Sequence, residues 1–154
     1  YVLRNHPECA VISVESDPHW SRLVQQQVQS DHLNMLFVDI GEVGAWGRPL
    51  SYEKSDKFRD YVTKAWSLGL EPDTVLIDGR FRVACFLYSV TQIRPGGIVI
   101  FDDYVGRPHY EIVEKYLLPK VKNGRQALFE VPALTSVTKD LIRNEIDQFR
   151  MVMD

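Results

Sequence analysis

Residues 72–104 read PDTVLIDGRFRVACFLYSVTQIRPGGIVIFDDY. Val75-Leu76-Ile77 is a continuous apolar run that stops at Asp78-Gly79. Ile98-Val99-Ile100-Phe101 is a second, introduced by Pro95-Gly96-Gly97 and closed by Asp102-Asp103. Runs without polar alternation suit strands of a parallel sheet covered by helices on both faces. Arg80 to Ile93 between them has the length of one crossover helix. The stretch therefore predicts a strand–helix–strand unit whose strands both end in carboxylates. In open parallel sheets, ligands bind beyond the carboxyl ends of the strands. Asp78, Asp102 and Asp103 stand at that edge.

Outward from this unit, strands and helices alternate. Cys9–Val14 is the first strand candidate, followed by Glu15-Ser16-Asp17. Asp17-Pro18 predicts a helix start, with Asp as N-cap and Pro at the first helical position. Trp20, Leu23, Val24 and Val28 then share one helix face to about Ser30, with Gln25 to Gln27 on the wet side. Leu33–Val38 is the next strand, closed by Asp39-Ile40-Gly41. Residues 41–52, GEVGAWGRPLSY, predict an irregular loop, with Trp46 either walling a pocket or plugging the loop down. Phe58, Tyr61, Val62 and Trp66 predict a helix over 53–68, stopped by Gly69 and Pro72. Beyond the central unit, His109–Leu118 reads as a short helix and Ala127–Val131 as a strand after the turn Asn123-Gly124. Ser136–Ile146 reads as a helix and Phe149–Met153 as an edge strand. Tyr1–Arg4 reads as the tail of a preceding helix. The alternation predicts an α/β fold with a mostly parallel sheet and helices on both faces.

The 154 residues fit a single domain with a core of its own, and 45% hydrophobic with 25% charged residues is the balance of a globular protein. A net charge of −3 argues against general nucleic-acid binding. No apolar run approaches the ~20 residues that span a bilayer, and no secretory signal pattern opens the chain, so no membrane partner is expected. Cys9 and Cys85 form neither a disulfide framework nor metal-ligand spacing, which implies reduced thiols and a cytoplasmic location. The chain begins at Tyr1 and enters a strand almost at once, so it reads as N-terminally trimmed.

Four successive strands end in acids: Glu15, Asp39, Asp78 and Asp102-Asp103. An ionised carboxylate has two acceptor oxygens, so one at a strand end can take both hydroxyls of a ribose. Glu15 is the candidate for that role, against an incidental surface acid. Asp39 can accept from an adenine amino group or cap its own loop. Asp78, Asp102 and Asp103 together offer hard oxygen ligands for Mg²⁺ or Ca²⁺, against pairing with Arg80, Arg82 or Arg107. Those arginines also suit bidentate recognition of an anionic small molecule. A free imidazole changes charge near neutrality, so His109 is a candidate general base, against an ordinary surface histidine. Tyr104 and Tyr110 either line a pocket or pack the core.

The ordered set of motifs resembles the class I S-adenosylmethionine-dependent methyltransferases, which have a Rossmann-like sheet. Ser13-Val14-Glu15-Ser16-Asp17 is similar to their second-strand motif, Asp39 to the acid after their third strand, Thr74–Gly79 to their fourth-strand motif, and Ile93-Arg94-Pro95-Gly96-Gly97 to the turn into their fifth strand. IDG followed by PGGIVIFDDY resembles small-molecule O-methyltransferases of the catechol and macrocin or novobiocin type, and methyltransferase-like proteins with an IDGRFR segment. The resemblance covers residues 9 to about 131. It implies methyl transfer from S-adenosylmethionine to an oxygen or nitrogen of a small molecule. It further implies cofactor contacts from Glu15, Ser16, Asp39, Ile40, Asp78 and Gly79, catalytic roles for Asp78 and His109, and a divalent metal on Asp78, Asp102 and Asp103. The family's first strand and its glycine-rich loop have no counterpart before Cys9. The sheet is then expected either to be interrupted there or to pair strands the family keeps apart, and the chain as given to bind the cofactor weakly. Two alternatives remain at this point: a non-catalytic Rossmann-like binding module, and a nicotinamide-dependent Rossmann enzyme.

Overall fold

A computed structural model of the chain describes residues 2–153. The chain forms two compact units, Tyr1–Leu68 and Gly69–Asp154. The first holds α1 (Val2–Asn5), β1 (Val11–Glu15), α2 (Pro18–Gln27), β2 (Leu33–Phe37) and α3 (Phe58–Thr63). The second holds β3 (Thr74–Ile77), α4 (Arg82–Gln92), β4 (Ile98–Phe101), β5 (Val121–Asn123), β6 (Gln126–Glu130) and α5 (Ser136–Phe149). Tyr1, part of the expected helix tail, lies outside the described residues.

In the first unit β1 and β2 are parallel, with Val11 opposite Leu33 and Glu15 opposite Phe37. The predicted cap is in place: the Asp17 carboxylate accepts from the N–H groups of His19 at 2.7 Å and Trp20 at 3.1 Å, and Pro18 opens α2. The helix stops at Gln27, slightly short of Ser30, and Gln25 to Gln27 face water. Phe58, Tyr61 and Val62 are buried as their spacing predicted, but α3 is a short helix flanked by 3-10 segments at Ser55–Lys57 and Lys64–Leu68.

The second unit has the strand order β3-β4-β6-β5. β3 and β4 are parallel, joined through α4, while β6 runs antiparallel to both of its neighbours. The architecture is α/β and Rossmann-like, with a mixed sheet. Neither of the apolar runs in 72–104 is buried on both faces. Val99, Phe101, Ala127 and Phe129 are fully buried, whereas Ile98, Ile100 and Leu128 are half-buried and Leu76 is 59% exposed. The buried face carries a cluster of rings: Phe86 lies 4.6 Å from Phe129 and Phe101 4.8 Å from Tyr110, centroid to centroid. α5 packs on α4.

Three segments depart from expectation. Phe149–Met153 is not a strand: α5 continues through Phe149, because Ile142, Ile146 and Phe149 keep the i, i+4, i+7 stripe of one helix face. His109–Leu118 is instead a 3-10 helix over Pro108–Lys115. β5 carries no apolar signal, since all three of its residues are exposed. Direct pairing of the first and third strand candidates is also not observed: β1 and β3 belong to different sheets.

Candidate functional site

Parallel strand ends collect carboxylates in both units. In the first, Glu15 is the last residue of β1 and is half-buried. Its Oε1 accepts from the N–H groups of Ser16 at 2.7 Å and Asp17 at 2.9 Å. The chain turning into α2 thus clasps one carboxylate oxygen, which fixes the direction of the other. Ser16 is buried, at 2% exposure. Asp39, just beyond β2, is committed on both oxygens. Oδ1 accepts from Gly41 N at 3.0 Å and Oδ2 pairs with Lys54. The hydrogen bond from Lys54, then that from Gly41, hold its pKa below the ordinary value. The loop-capping role is what the geometry displays for Asp39. Ile40 is fully buried, and its side chain packs in the core.

Beside Asp39 lies an open groove of about 680 Å³, lined among others by Phe37, Lys54, Lys57, Thr63 and Lys64. Lys57 is balanced by Asp56 and Asp60, each 3.6 Å away. The sequence reading passed over these lysines; their spacing of three and seven residues was the available signal. Trp46 is not a plug. It is 90% exposed, with φ 61° and ψ 23°.

In the second unit Arg82 organises the strand ends. It is 3% exposed and sits in the first turn of α4. Its Nε donates to Gly79 O at 3.0 Å, Nη1 to Asp102 O at 2.8 Å and Nη2 to Asp78 O at 3.3 Å. One guanidinium therefore ties the end of β3 to the end of β4. It also lies 3.4 Å from carboxylate oxygens of Asp78 and Asp103. Asp102 is buried; Gln126 donates to its Oδ1 at 2.7 Å and Arg125 at 3.2 Å. Arg125 Nη2 meets Oδ2 at 2.9 Å as a charge contact rather than an aligned hydrogen bond. Asp103, in the left-handed region at φ 56°, pairs with Arg107 at 3.1 Å and Arg125 at 3.4 Å.

The two neighbouring acids are driven apart in pKa. Loss of solvent, and then the Asp102 carboxylate beside it, raise Asp78 above the ordinary value. Burial pushes Asp102 upward too, but hydrogen bonds from Gln126 and Asp78 and the charge of Arg125 outweigh it, leaving Asp102 below the ordinary value. Asp78 therefore holds a proton more tightly, which is the property of a better base.

The expected metal centre on Asp78, Asp102 and Asp103 is not formed. Each carboxylate faces at least one guanidinium, and among the described residues no group of three or more His, Cys, Asp or Glu side chains is placed to hold a metal ion. Three arginines supply the positive charge a cation would bring, and would repel it. His109 is exposed, its ring 4.2 Å from that of Tyr110. Tyr104 and Tyr110 are core residues at 1% exposure. Gly79 is exposed, and its carbonyl is taken by Arg82.

Comparison with solved structures gives a methyltransferase-like protein from Silicibacter pomeroyi DSS-3 as a neighbour. It is 34% identical, with a TM-score of 0.76 over 88% of this chain and 75% of that one. The chain belongs to the methyltransferase-like proteins. No protein-family model and no curated protein matches it. Within this methyltransferase-like chain, Glu15, Ser16, Asp39 and Ile40 belong to the first unit. Asp78, Gly79, Asp102, Asp103 and His109 belong to the second. No helix among the described residues is long and apolar enough to cross a membrane.

Proposed function

We propose that the chain carries an S-adenosylmethionine-dependent methyltransferase activity directed at an oxygen or nitrogen of a small molecule. The observation that carries the reading is the clasped carboxylate of Glu15 at the end of a parallel strand. With Oε1 held by two backbone N–H groups, Oε2 is set to accept from the hydroxyls of a ribose. The donor set there fits a nucleoside: a fixed acceptor with a buried serine after it. When bound, S-adenosylmethionine supplies a methyl group on a sulfonium, open to in-line displacement.

The residues of this chain then have few tasks, chiefly positioning. Glu15 holds the ribose and Ser16 shapes the turn beneath it. Asp78, with its raised pKa, takes the proton released by the acceptor hydroxyl or amine. Arg107 and Arg125, both substantially exposed, offer charge to an anionic acceptor. His109 is the second candidate for proton transfer. The binding-module reading has one observation in its favour, the arginines that occupy Asp102 and Asp103.

Calorimetric titration of the full-length protein with S-adenosylhomocysteine tests the proposal. Saturable but weak binding is expected, since the family's glycine-rich loop has no counterpart before Cys9, and Glu15→Ala should raise Kd about 10- to 150-fold, the loss of one charge-assisted partner. Binding without turnover on any hydroxyl- or amine-bearing acceptor favours the binding module. No binding at millimolar ligand sinks the methyl-donor reading.

A further inference from the structure

Arg107 and Arg125 stand on different segments, the loop after β4 and the turn between β5 and β6, yet their backbones are tied. Arg107 N donates to Tyr104 O at 3.3 Å, closing a turn in which Gly106 has φ +82°. Val105, inside that turn, donates its N–H to Arg125 O at 3.0 Å. One backbone hydrogen bond thus fixes the spacing of the two arginines.

Their guanidiniums converge on one carboxylate. Arg107 Nη2 lies 3.1 Å from Asp103 Oδ2, and Arg125 Nη1 lies 3.4 Å from Asp103 Oδ1. The pair straddles Asp103, one guanidinium to each oxygen. The side chain of Asp103 is 22% exposed, against 46% for Arg107 and 67% for Arg125, so the acid lies beneath and the arginines meet water. Arg107 Nε and Nη1 have no hydrogen-bond partner among the described residues. The buried ring of Tyr110, 6.0 Å from the Arg107 guanidinium, supports it.

Pairing with an acid does not close this site. Asp103 sets both forks in advance, so an incoming anion meets donors with little rotamer freedom left to lose. The strand-end segments 78–82, 102–107 and 125 hold Arg80, Arg82, Arg107 and Arg125 against Asp78, Asp102 and Asp103, an excess of one positive charge. A monoanion matches that excess, and a dianion overshoots it. The nearby acid decides what else the ligand carries. Arg82 lies 3.4 Å from Asp103 Oδ2 through Nη1 and 3.4 Å from Asp78 Oδ1 through Nη2. Asp78, the base of the methyl-transfer reading, is therefore one guanidinium away from the pair.

We propose that Arg107 and Arg125 clamp a carboxylate of the methyl acceptor, a small carboxylic acid whose hydroxyl or amine reaches Asp78. This rests on the methyl-transfer reading above and narrows its acceptor to one that bears a carboxylate.

The test uses the full-length protein, with benzoate, salicylate and the neutral salicylamide as probes at constant ionic strength. The Nε–H resonances of Arg107 and Arg125, identified by their loss in Arg107→Lys and Arg125→Lys, should shift saturably with both carboxylates and not with the amide. Arg107→Ala should weaken salicylate about 10-fold or more, the loss of one charge-assisted partner. Arg107→Lys should recover only part of that affinity, because an ammonium is a point charge without the fork. Asp103 keeps Arg82 and Arg125 in both Arg107 variants. Their melting temperature should therefore stay near that of the wild type, which separates a lost ligand contact from a lost fold. Resonances unmoved by either carboxylate at high millimolar concentration, or moved equally by the amide, overturn the clamp. Inorganic phosphate bound more tightly than benzoate overturns the carboxylate assignment. S-adenosylhomocysteine separates the two readings. If it binds and the carboxylates do not, the clamp falls and the methyl-donor reading stands. If the carboxylates bind through both arginines and S-adenosylhomocysteine does not bind, the clamp stands and the methyl-donor reading falls.

Discussion

Glu15 and Asp102 occupy equivalent places, one at the end of β1 and the other directly after β4, yet they are held in opposite ways. Backbone N–H groups clasp a single oxygen of Glu15, and the carboxylate remains half-buried. Asp102 is 2% exposed, with Gln126 and Arg125 on its oxygens. A backbone clasp orients a carboxylate without neutralising it, so its charge stays available to a ligand. A guanidinium and an amide consume it. The same sequence signal, an acid closing a parallel strand, therefore produces a backbone-clasped carboxylate in one unit and an internal strut in the other.

The largest way to test that contrast is to remove what makes the second unit's acids internal. Arg82→Ala strips hydrogen bonds from three carbonyls and leaves Asp78 and Asp103 short of a buried countercharge. The three hydrogen bonds from a charged donor, at roughly 1.5–3 kcal/mol each and partly recovered by water at the exposed acids, put the cost at about 3–5 kcal/mol. Denaturant unfolding should show a loss in that range; a loss under ~1 kcal/mol would mean the guanidinium is not the strut described here.

Asp102→Asn comes next. It removes the acceptor charge for Arg125 and weakens the bond from Gln126, at a cost of about 1.5–3 kcal/mol. The sign with pH is fixed by the lowered pKa of Asp102. Its ionised form is stabilised in the fold, so the contribution is present above the unfolded value near 3.9 and is lost as pH falls through the lower folded value. The wild type and the variant should converge in stability at strongly acidic pH. A constant difference across that window would show that the charge of Asp102 is not what the fold uses.

Much of this contrast was hidden in the sequence for a definite reason. Arg82 lies four residues after Asp78, a spacing that can be read directly. Arg125 and Gln126 lie 23 and 24 residues from Asp102. They reach it because β6 runs antiparallel to β4 with Ala127 opposite Phe101, and nothing in composition or periodicity specifies that register. The turn Pro95-Gly96-Gly97, by contrast, was legible because each glycine is needed. Gly96 has φ +83°, and a Cβ on Gly97 would fall 2.5 Å from Ile93 Cγ1. The Asp17-Pro18 helix start was legible for the same kind of local reason. Trp46 was not, since its exposure depends on a bracket of backbone hydrogen bonds that side-chain identity does not announce.

Glu15→Gln sharpens the other half of the comparison. Glutamine keeps an oxygen for the Ser16 and Asp17 N–H groups and removes the charge. Unfolding free energy should change by less than about 0.5 kcal/mol, as for substitutions outside buried networks. Affinity for S-adenosylhomocysteine should fall nevertheless. A destabilisation equal to that of Asp102→Asn would make Glu15 a strut as well and erase the difference between the two units.

The smallest expected effect carries the most discriminating sign. Asp78 neighbours Asp102, yet its pKa is raised, first by loss of solvent and then by the Asp102 carboxylate. A raised carboxyl favours its neutral form in the fold, so its contribution to stability is fully present below the unfolded value near 3.9 and is lost as pH rises through the folded value. At neutral pH the charge on Asp78 therefore opposes folding, and Asp78→Asn should relieve it. Its side chain is 55% exposed, so solvent screening limits the gain to a fraction of a kcal/mol. Asp78→Asn should then be level with or slightly above the wild type at pH 7, and equal to it at pH 3, where both side chains are neutral. Asp102→Asn should lie well below the wild type at pH 7. If Asp78→Asn instead loses as much stability as Asp102→Asn, the 3.4 Å ion pair with Arg82 dominates over the neighbouring carboxylate. Asp78 would then join Asp102 as a strut, and the general-base role would pass to His109.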